Sequence, residues 1–177
     1  MRRILLTGMS GAGKSTVIGE LAARGYRAVD ADSDEYSEWV EVGDDAHTAG
    51  SPVEPSRDWV WRADRMRALL GSAGDGTLFV SGCAPNMRAF LPQFDLVILL
   101  SAPAELTLER LRARTNNAYG KRPDQAARVL ELKQQVEPLL RRAAHHELDT
   151  SAPLAEVVAA VLRLALPGAQ GTADAER

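Results

Sequence analysis

A glycine-rich octapeptide near the start of the chain limits the fold more than any other segment. It reads Gly8-Met9-Ser10-Gly11-Ala12-Gly13-Lys14-Ser15 and matches the pattern G-x-x-x-x-G-K-[ST] at every fixed position. An apolar run over residues 4–6 precedes it, and a helix is expected over residues 15–23. A strand, a glycine loop and a helix in this order are typical of the P-loop, which binds the phosphates of nucleoside triphosphates.

The residues of this loop have separate expected roles. Gly8 and Gly13 allow backbone angles and close approaches that a Cβ atom would prevent. Lys14 is expected to contact the β- and γ-phosphates, and the Ser15 hydroxyl to bind Mg²⁺. Thr16 is expected on the α-phosphate side. The nucleotide contacts predicted from the loop are Gly8, Ser10, Gly11, Ala12, Gly13, Lys14, Ser15 and Thr16.

Composition is that of one globular domain, with 45% hydrophobic and 25% charged residues among 177. We expect one domain over residues 1–166 and a disordered tail over residues 167–177. A net charge of −3 without a long basic run favours neither nucleic acid nor an anionic membrane. A single cysteine, Cys83, fits a reducing cytoplasm, and the first apolar run is too short for a signal peptide. We therefore expect a cytoplasmic monomer or homodimer that acts on a small molecule.

Apolar strands alternate with amphipathic helices, which predicts an α/β fold with a parallel sheet covered on both faces. Strands are expected over residues 3–7, 28–30, 78–81, 96–100 and 147–149. Helices are expected over residues 58–73 and 104–114, and from residue 124 onward, where Pro138 should kink or split the helix. A last helix over residues 154–165 is expected to be capped by Thr150 or Ser151.

Two aspartates, Asp30 and Asp32, follow the second predicted strand. Ligands of open parallel sheets bind beyond the carboxyl ends of the strands, where these carboxylates should lie. We expect Asp32 to accept a proton from a substrate hydroxyl, and Asp30 to serve as a metal ligand or structural partner. The structural alternative is that one of them caps a following helix, as Ser33 or Asp34 also could.

Further candidates lie in a lid and in a substrate-binding insertion, expected over residues 114–124 and 33–72. Arg110 and Arg114 share one helix face at the mouth of a polar, basic loop over residues 115–123, and an exposed, solvated face is the alternative. Arg114, with Lys121 and Arg122 beside this loop, fits a lid that closes on phosphates and stabilises the transferred group. Gly82 and Asn86 follow the third strand and are expected to contact the second substrate. Arg62 either points into the pocket or remains solvated at its edge.

Aromatic side chains and the lone cysteine have open alternatives. Tyr36, Trp39, Trp59 and Trp61 could form a wall of the substrate pocket, but core packing is the alternative for at least two of them. Cys83 is best explained as a small buried hydrophobic residue.

These stretches resemble the branch of P-loop proteins that phosphorylates small molecules and nucleoside monophosphates. Residues 6–16 with Val29-Asp30-Ala31-Asp32 resemble dephospho-coenzyme A kinase and shikimate kinase, which implies that Asp32 contacts the acceptor hydroxyl. Residues 101–114 are similar to the adenylate kinase helix that enters the lid, so Arg110 and Arg114 would bind adenine and phosphate. Residues 149–153 resemble the segment that packs against adenine, which implicates Ser151 and Pro153. The chain also resembles kinase-like bacterial ATPases. The implied sheet has five parallel strands in the order 2-3-1-4-5.

The acceptor side departs from these families. Ser81 stands where adenylate kinases have an aspartate, and only Gly82 remains of the glycine triplet of shikimate kinases. The function expected is Mg-ATP-dependent transfer of the γ-phosphoryl group to a hydroxyl or phosphate of a small acceptor. The alternative is a nucleotide-binding switch or binding module with slow hydrolysis and no acceptor.

Overall fold

We describe the fold from a computed structural model, in which residues 1–43, 51–54, 56–113, 115 and 121–166 are described. In these residues the strands are β1 (Arg2–Thr7), β2 (Arg27–Asp30), β3 (Ser37–Glu41), β4 (Arg57–Trp61), β5 (Thr77–Ser81), β6 (Leu96–Ser101) and β7 (His146–Asp149). The helices are α1 (Lys14–Ala23), α2 (Ala63–Gly71), α3 (Ala104–Ala113), α4 (Pro123–Ala143) and α5 (Leu154–Ala165). None of these helices is long and apolar enough to cross a membrane.

The central sheet is parallel and has the strand order β2-β5-β1-β6-β7. Counted along the chain, this is the order 2-3-1-4-5, so the expected fold is confirmed. Central strand β1 pairs with β5 on one side and with β6 on the other. Because all five strands point the same way, β1, β2 and β5 end at one edge, where Thr7, Asp30 and Ser81 lie.

Side chains of each strand alternate between two hydrophobic clusters, one on each face of the sheet. Ile4 and Leu6 point to the face covered by α1 and α5, whereas Leu5 points to the face that packs on α2 and α4. These three side chains have no exposed surface. Burial on both faces explains why the strands are continuous apolar runs in the sequence.

The prediction of a helix over residues 58–73 is wrong for the first part of this range. Strand β4 occupies Arg57–Trp61 and pairs with β3 in an antiparallel hairpin outside the main sheet, and α2 begins only at Ala63. Trp59 faces Trp39 across this hairpin, with ring centroids 5.1 Å apart. Aromatic cross-strand pairs stabilise a hairpin, so this tertiary pairing prevails over the helical spacing of Trp59 and Met66.

Two further details of the helices differ from expectation. Helix α4 continues through Pro138 and is not split, because Leu132 and Leu140 on either side of the proline pack in the same core cluster. Pro153, and neither Thr150 nor Ser151, stands at the N-cap of α5. The two hydroxyls are engaged elsewhere, since Ser151 donates to Asp149 and Thr150 donates to Ala12 and Ser101.

Candidate active site

A cleft of about 1660 Å³ opens where β1, β2 and β5 end. Its lining combines the glycine loop, the two aspartates after β2, the β3–β4 hairpin and one side of α4. Sites for one drug-sized ligand have roughly 300–1,000 Å³, so this cleft has room for a nucleotide and a second substrate.

The glycine loop leads directly into α1, which begins at Lys14. Gly13 is the N-cap residue with φ of 92°, and no side chain caps the helix. The first N–H groups of α1 are therefore available to an anion, as a phosphate site requires. A Cβ atom at Gly8 would overlap the backbone oxygen of Leu100, which explains the first glycine of the motif.

Lys14 lies at the floor of the cleft, between the loop and the carboxylate of Asp32. Its Nζ donates to the carbonyl oxygen of Gly8 at 2.8 Å and lies 3.5 Å from Asp32 Oδ2. The side chain is 9% exposed, so little water screens its charge. The structure thus places the cation of the loop beside the predicted proton acceptor.

Ser15 and Asp30, the two predicted magnesium ligands, contact each other. Ser15 Oγ donates to Asp30 Oδ2 at 2.8 Å, and Asp30 Oδ1 accepts from Ser81 Oγ at 3.0 Å. A hydroxyl and a carboxylate are hard oxygen donors of the kind that Mg²⁺ prefers. The described residues contain no group of three or more His, Cys, Asp or Glu side chains suited to a metal.

Asp32 is held at the junction of β2 and β5. Its Oδ1 accepts from the backbone N–H of Cys83 at 3.0 Å, and its side chain is 27% exposed. Burial raises the pKa of Asp32, and the neighbouring Asp30 raises it further, while Lys14 and the Cys83 N–H oppose the shift. The next element after β2 in the described residues is strand β3, so neither aspartate caps a helix there.

Cys83 lies between the cleft and the core, and its side chain is partly buried against the first core cluster. Burial raises the pKa of its thiol. Cys83 therefore contributes its backbone N–H to the site, where it donates to Asp32.

Gly82 and Asn86 lie at the end of β5 around one buried tryptophan, Trp61. Asn86 Oδ1 accepts from the backbone N–H of Trp61 at 3.0 Å, and its Nδ2 donates to the Trp61 carbonyl at 2.8 Å. A Cβ atom at Gly82 would lie 2.8 Å from the Trp61 ring and 2.9 Å from Asp32 Oδ1. Both residues therefore position Trp61 and Asp32 in the structure, and direct contact with a substrate stays a prediction.

Gly82→Ala is expected to lower turnover at least 10-fold and stability by about 1–3 kcal/mol, because the added methyl group must displace the Trp61 ring or the Asp32 carboxylate. Steady-state kinetics and thermal unfolding measure the two effects. Gly19→Ala on α1 is the matched control, since nothing lies within 4 Å of the added atom. An active, wild-type-stable Gly82→Ala protein would show that this close packing is unimportant.

Arg110 reaches from α3 to the glycine loop. Its Nη1 donates to Thr150 Oγ1 at 2.8 Å, its Nη2 donates to the Thr150 carbonyl at 2.6 Å, and Nη1 lies 3.4 Å from the Gly11 carbonyl oxygen. Thr150 in turn donates to the Ala12 carbonyl at 3.0 Å. Sequence reasoning missed this role of Thr150, although a hydroxyl residue directly after the last strand was a usable signal.

Arg110→Ala is expected to raise KM for ATP about 10-fold, because it removes three donor contacts that connect the loop to the end of β7. Arg112→Ala is the control, since Arg112 is exposed on the same helix. Titration with ATP and initial-rate kinetics test the difference. Equal KM values for the two variants would contradict a role of Arg110 in the nucleotide site.

Other predicted residues do not lie in the described cleft. Arg62 bonds to the Ser37 carbonyl at 3.2 Å and pairs with Glu38 at 3.4 Å, away from the cleft lining. Ser151 and Pro153 are exposed at the start of α5, where their neighbours Ala152 and Leu154 line the cleft. Arg114 lies outside the described residues, as do most of the expected lid and the tail over 167–177.

Comparisons with known proteins agree with this geometry. A family model described as an AAA domain matches residues 4–131. Shikimate kinase 2 of Yersinia enterocolitica is 28% identical over 172 residues, which are 91% of this chain and 94% of that protein. Shikimate kinase of Nitrobacter winogradskyi is 35% identical over 147 residues, which are 80% of this chain and 66% of that protein.

A solved structure extends the likeness to three dimensions. The shikimate kinase from Acinetobacter baumannii, determined in complex with shikimate, superimposes with a TM-score of 0.62 at 26% identity and covers 94% of both chains. The family match, these relatives and the strand order agree with one another. The chain therefore belongs to the AAA domain family and to the P-loop small-molecule kinase superfamily, and it is an ATP-dependent small-molecule kinase.

Proposed function

We propose that this kinase transfers the γ-phosphoryl group of ATP to a hydroxyl group of a small hydroxylated acceptor, with Asp32 accepting the proton. The observation that carries the proposal is the 3.5 Å contact between Lys14 Nζ and Asp32 Oδ2 at the floor of the cleft. A phosphate bound by Lys14 and a hydroxyl bound by Asp32 would meet at this point. The names of the shikimate kinase relatives support an acceptor of this class.

In the proposed reaction the acceptor oxygen forms a bond to the γ-phosphorus while the bond to the β-phosphate oxygen breaks. The hydroxyl proton passes to Asp32, and ADP leaves. Lys14 and the open N–H groups at the start of α1 stabilise the negative charge on the transferred group. The protein takes little part in the covalent chemistry of phosphoryl transfer, so positioning and electrostatic stabilisation supply the catalysis.

Ser15 and Asp30 would hold Mg²⁺, which neutralises charge on the β- and γ-phosphate oxygens when bound. Arg110 would contact the nucleotide once its bonds to Thr150 rearrange. We further propose that residues 114–124 form a lid that contributes Arg114, and that residues 33–72 form the acceptor-binding part of a domain over residues 1–166. Closure of such a lid would exclude water, which competes with the acceptor.

A panel of hydroxylated compounds that includes shikimate and D-gluconate tests this proposal. ATP consumption is measured by a coupled ADP assay, and phosphorylated products are identified by ³¹P NMR. We expect at least one compound to raise ADP formation at least 10-fold over the rate with water alone and to yield a phosphate ester. Slow hydrolysis that no compound accelerates would instead support the nucleotide-binding switch.

A further inference from the structure

The β3–β4 hairpin presents all three tryptophans of the chain on one face. Trp61 is opposite Ser37 in the pairing register, and Trp39 is opposite Trp59. Because side chains of a strand alternate between faces, these four residues share the same face of the hairpin. We call the surface formed by Trp39, Trp59 and Trp61 the tryptophan face.

The tryptophan face is attached at one end to the residues that carry the catalytic carboxylate. Ser37 Oγ donates to the Ala31 carbonyl at 2.6 Å, and Trp59 Nε1 donates to the Asp32 carbonyl at 3.2 Å. Trp61 is 1% exposed, and its indole lies beside the Asp32 carboxylate, whose pKa it lowers. That indole nitrogen and Asp32 Oδ1 both lie within 3.0 Å of the point where a Cβ of Gly82 would stand.

The other end of the tryptophan face is open to the cleft. Trp39 is 41% exposed, and both Trp39 and Trp59 line the cleft. The large hydrophobic side chains exposed in the described part of the chain are Trp39, Leu139 and Leu154, and all three line this one cleft. Exposed apolar groups that converge on a concave surface indicate a binding site for an apolar ligand group.

Two charged residues beside the open end, Arg57 and Glu54, pair with each other. Arg57 donates to Glu54 at 2.6 Å and stacks on Trp39, with its guanidinium carbon 4.1 Å from the ring centroid. Glu54 lines the cleft but has this arginine as its partner. Arg57 and Glu54 therefore need no charged partner from a ligand, and the open end of the tryptophan face suits an uncharged apolar group.

We propose that the acceptor is a two-part molecule, with a reacting hydroxyl group at Asp32 and an uncharged aromatic or heteroaromatic ring that packs against the exposed part of Trp39. Successive residues on one face of a strand are about 7 Å apart. The distance along the hairpin from Trp61 to the Trp39–Trp59 pair is therefore about the length of one sugar ring. Aryl glycosides and nucleosides have this arrangement of hydroxyl groups and ring. The inference rests on the proposed function, because it assigns the second part of the same acceptor site.

Matched pairs of compounds test the ring directly. Phenyl β-D-glucopyranoside is compared with methyl β-D-glucopyranoside, and uridine with methyl β-D-ribofuranoside, both as phosphoryl acceptors and as ligands by saturation-transfer NMR. In the wild-type protein the ring-bearing member of at least one pair is expected to bind about 10-fold or more tightly than its partner. Equal binding within both pairs, or binding of no member at millimolar concentration, overturns the inference.

Variants of Trp39 localise the effect. Trp39→Ala is expected to reduce the preference for the ring to nearly 1 while KM for ATP is unchanged, and Trp39→Phe is expected to keep most of it. Val40→Ala, on the same strand but the opposite face, is the control. A preference that survives in Trp39→Ala overturns the inference. Ring binding without phosphorylation would refute the proposed function alone, and phosphorylation that ignores the ring would refute this inference alone.

Discussion

Lys14→Ala is expected to lower kcat/KM for ATP by about three orders of magnitude. Lys14 Nζ is the buried cation of the glycine loop, and it lies 3.5 Å from the carboxylate proposed to take the acceptor proton. In a site with little water, one charge aimed at the transferred phosphoryl group contributes far more than a charge in solvent. Initial rates with varied ATP measure the loss.

Arg24→Ala, at the C-cap of the same helix, is the control for Lys14→Ala. Its guanidinium pairs with Glu20 at 2.9 Å on the surface, and we expect normal kinetics from this variant. Circular dichroism and thermal unfolding establish that both variants fold. Wild-type turnover by folded Lys14→Ala protein would refute the assignment of the nucleotide site.

Asp32→Asn is expected to lower acceptor-dependent turnover by about 10²–10⁴-fold, because the amide cannot accept the hydroxyl proton. It nearly preserves the shape of the side chain, so binding of ATP should change little. Asp34→Asn is the matched control, since Asp34 is exposed and lines the same cleft. Unchanged acceptor-dependent turnover in Asp32→Asn would exclude Asp32 as the proton acceptor.

The same pair of variants gives a test by pH. Asp32 must be ionised to accept a proton, and burial raises its pKa above the ordinary value of 3.8. The acceptor-dependent rate should therefore fall as the pH decreases through this raised pKa. That acidic limb should persist in Asp34→Asn and be absent from the residual activity of Asp32→Asn.

The nucleotide half of the site could be predicted from the sequence because its residues are contiguous. The loop and α1 form one local unit, in which Gly8 and Gly13 satisfy backbone requirements and Lys14 follows at a set spacing. The contact of Ser15 with Asp30 required only that β2 lie near β1 in a parallel sheet, with β5 between them. These relations follow from local geometry and from the rules of parallel sheets.

The acceptor half depends on pairings between distant segments, which one sequence does not display. Trp39 and Trp59 are 20 positions apart, and only the register of the hairpin brings them together. The helical spacing of Trp59 and Met66 predicted one helix there, whereas cross-strand packing favoured a strand. Asn86 illustrates the same limit, since its polar side chain suits a substrate but is used by the backbone of Trp61.

The sequence by itself determined the glycine loop, a parallel sheet and the position of Asp32 after β2, whereas the strand order was implied by the resemblance to P-loop kinases. These features depend on local backbone geometry and on the alternation of apolar strands with helices, which leave few alternatives. The tertiary structure alone decided that Arg110 binds Thr150, that Arg62 pairs with Glu38, and that Trp39 and Trp59 line the cleft. Long-range packing selects among side-chain partners of similar local energy, so those choices become visible only when the whole chain is folded.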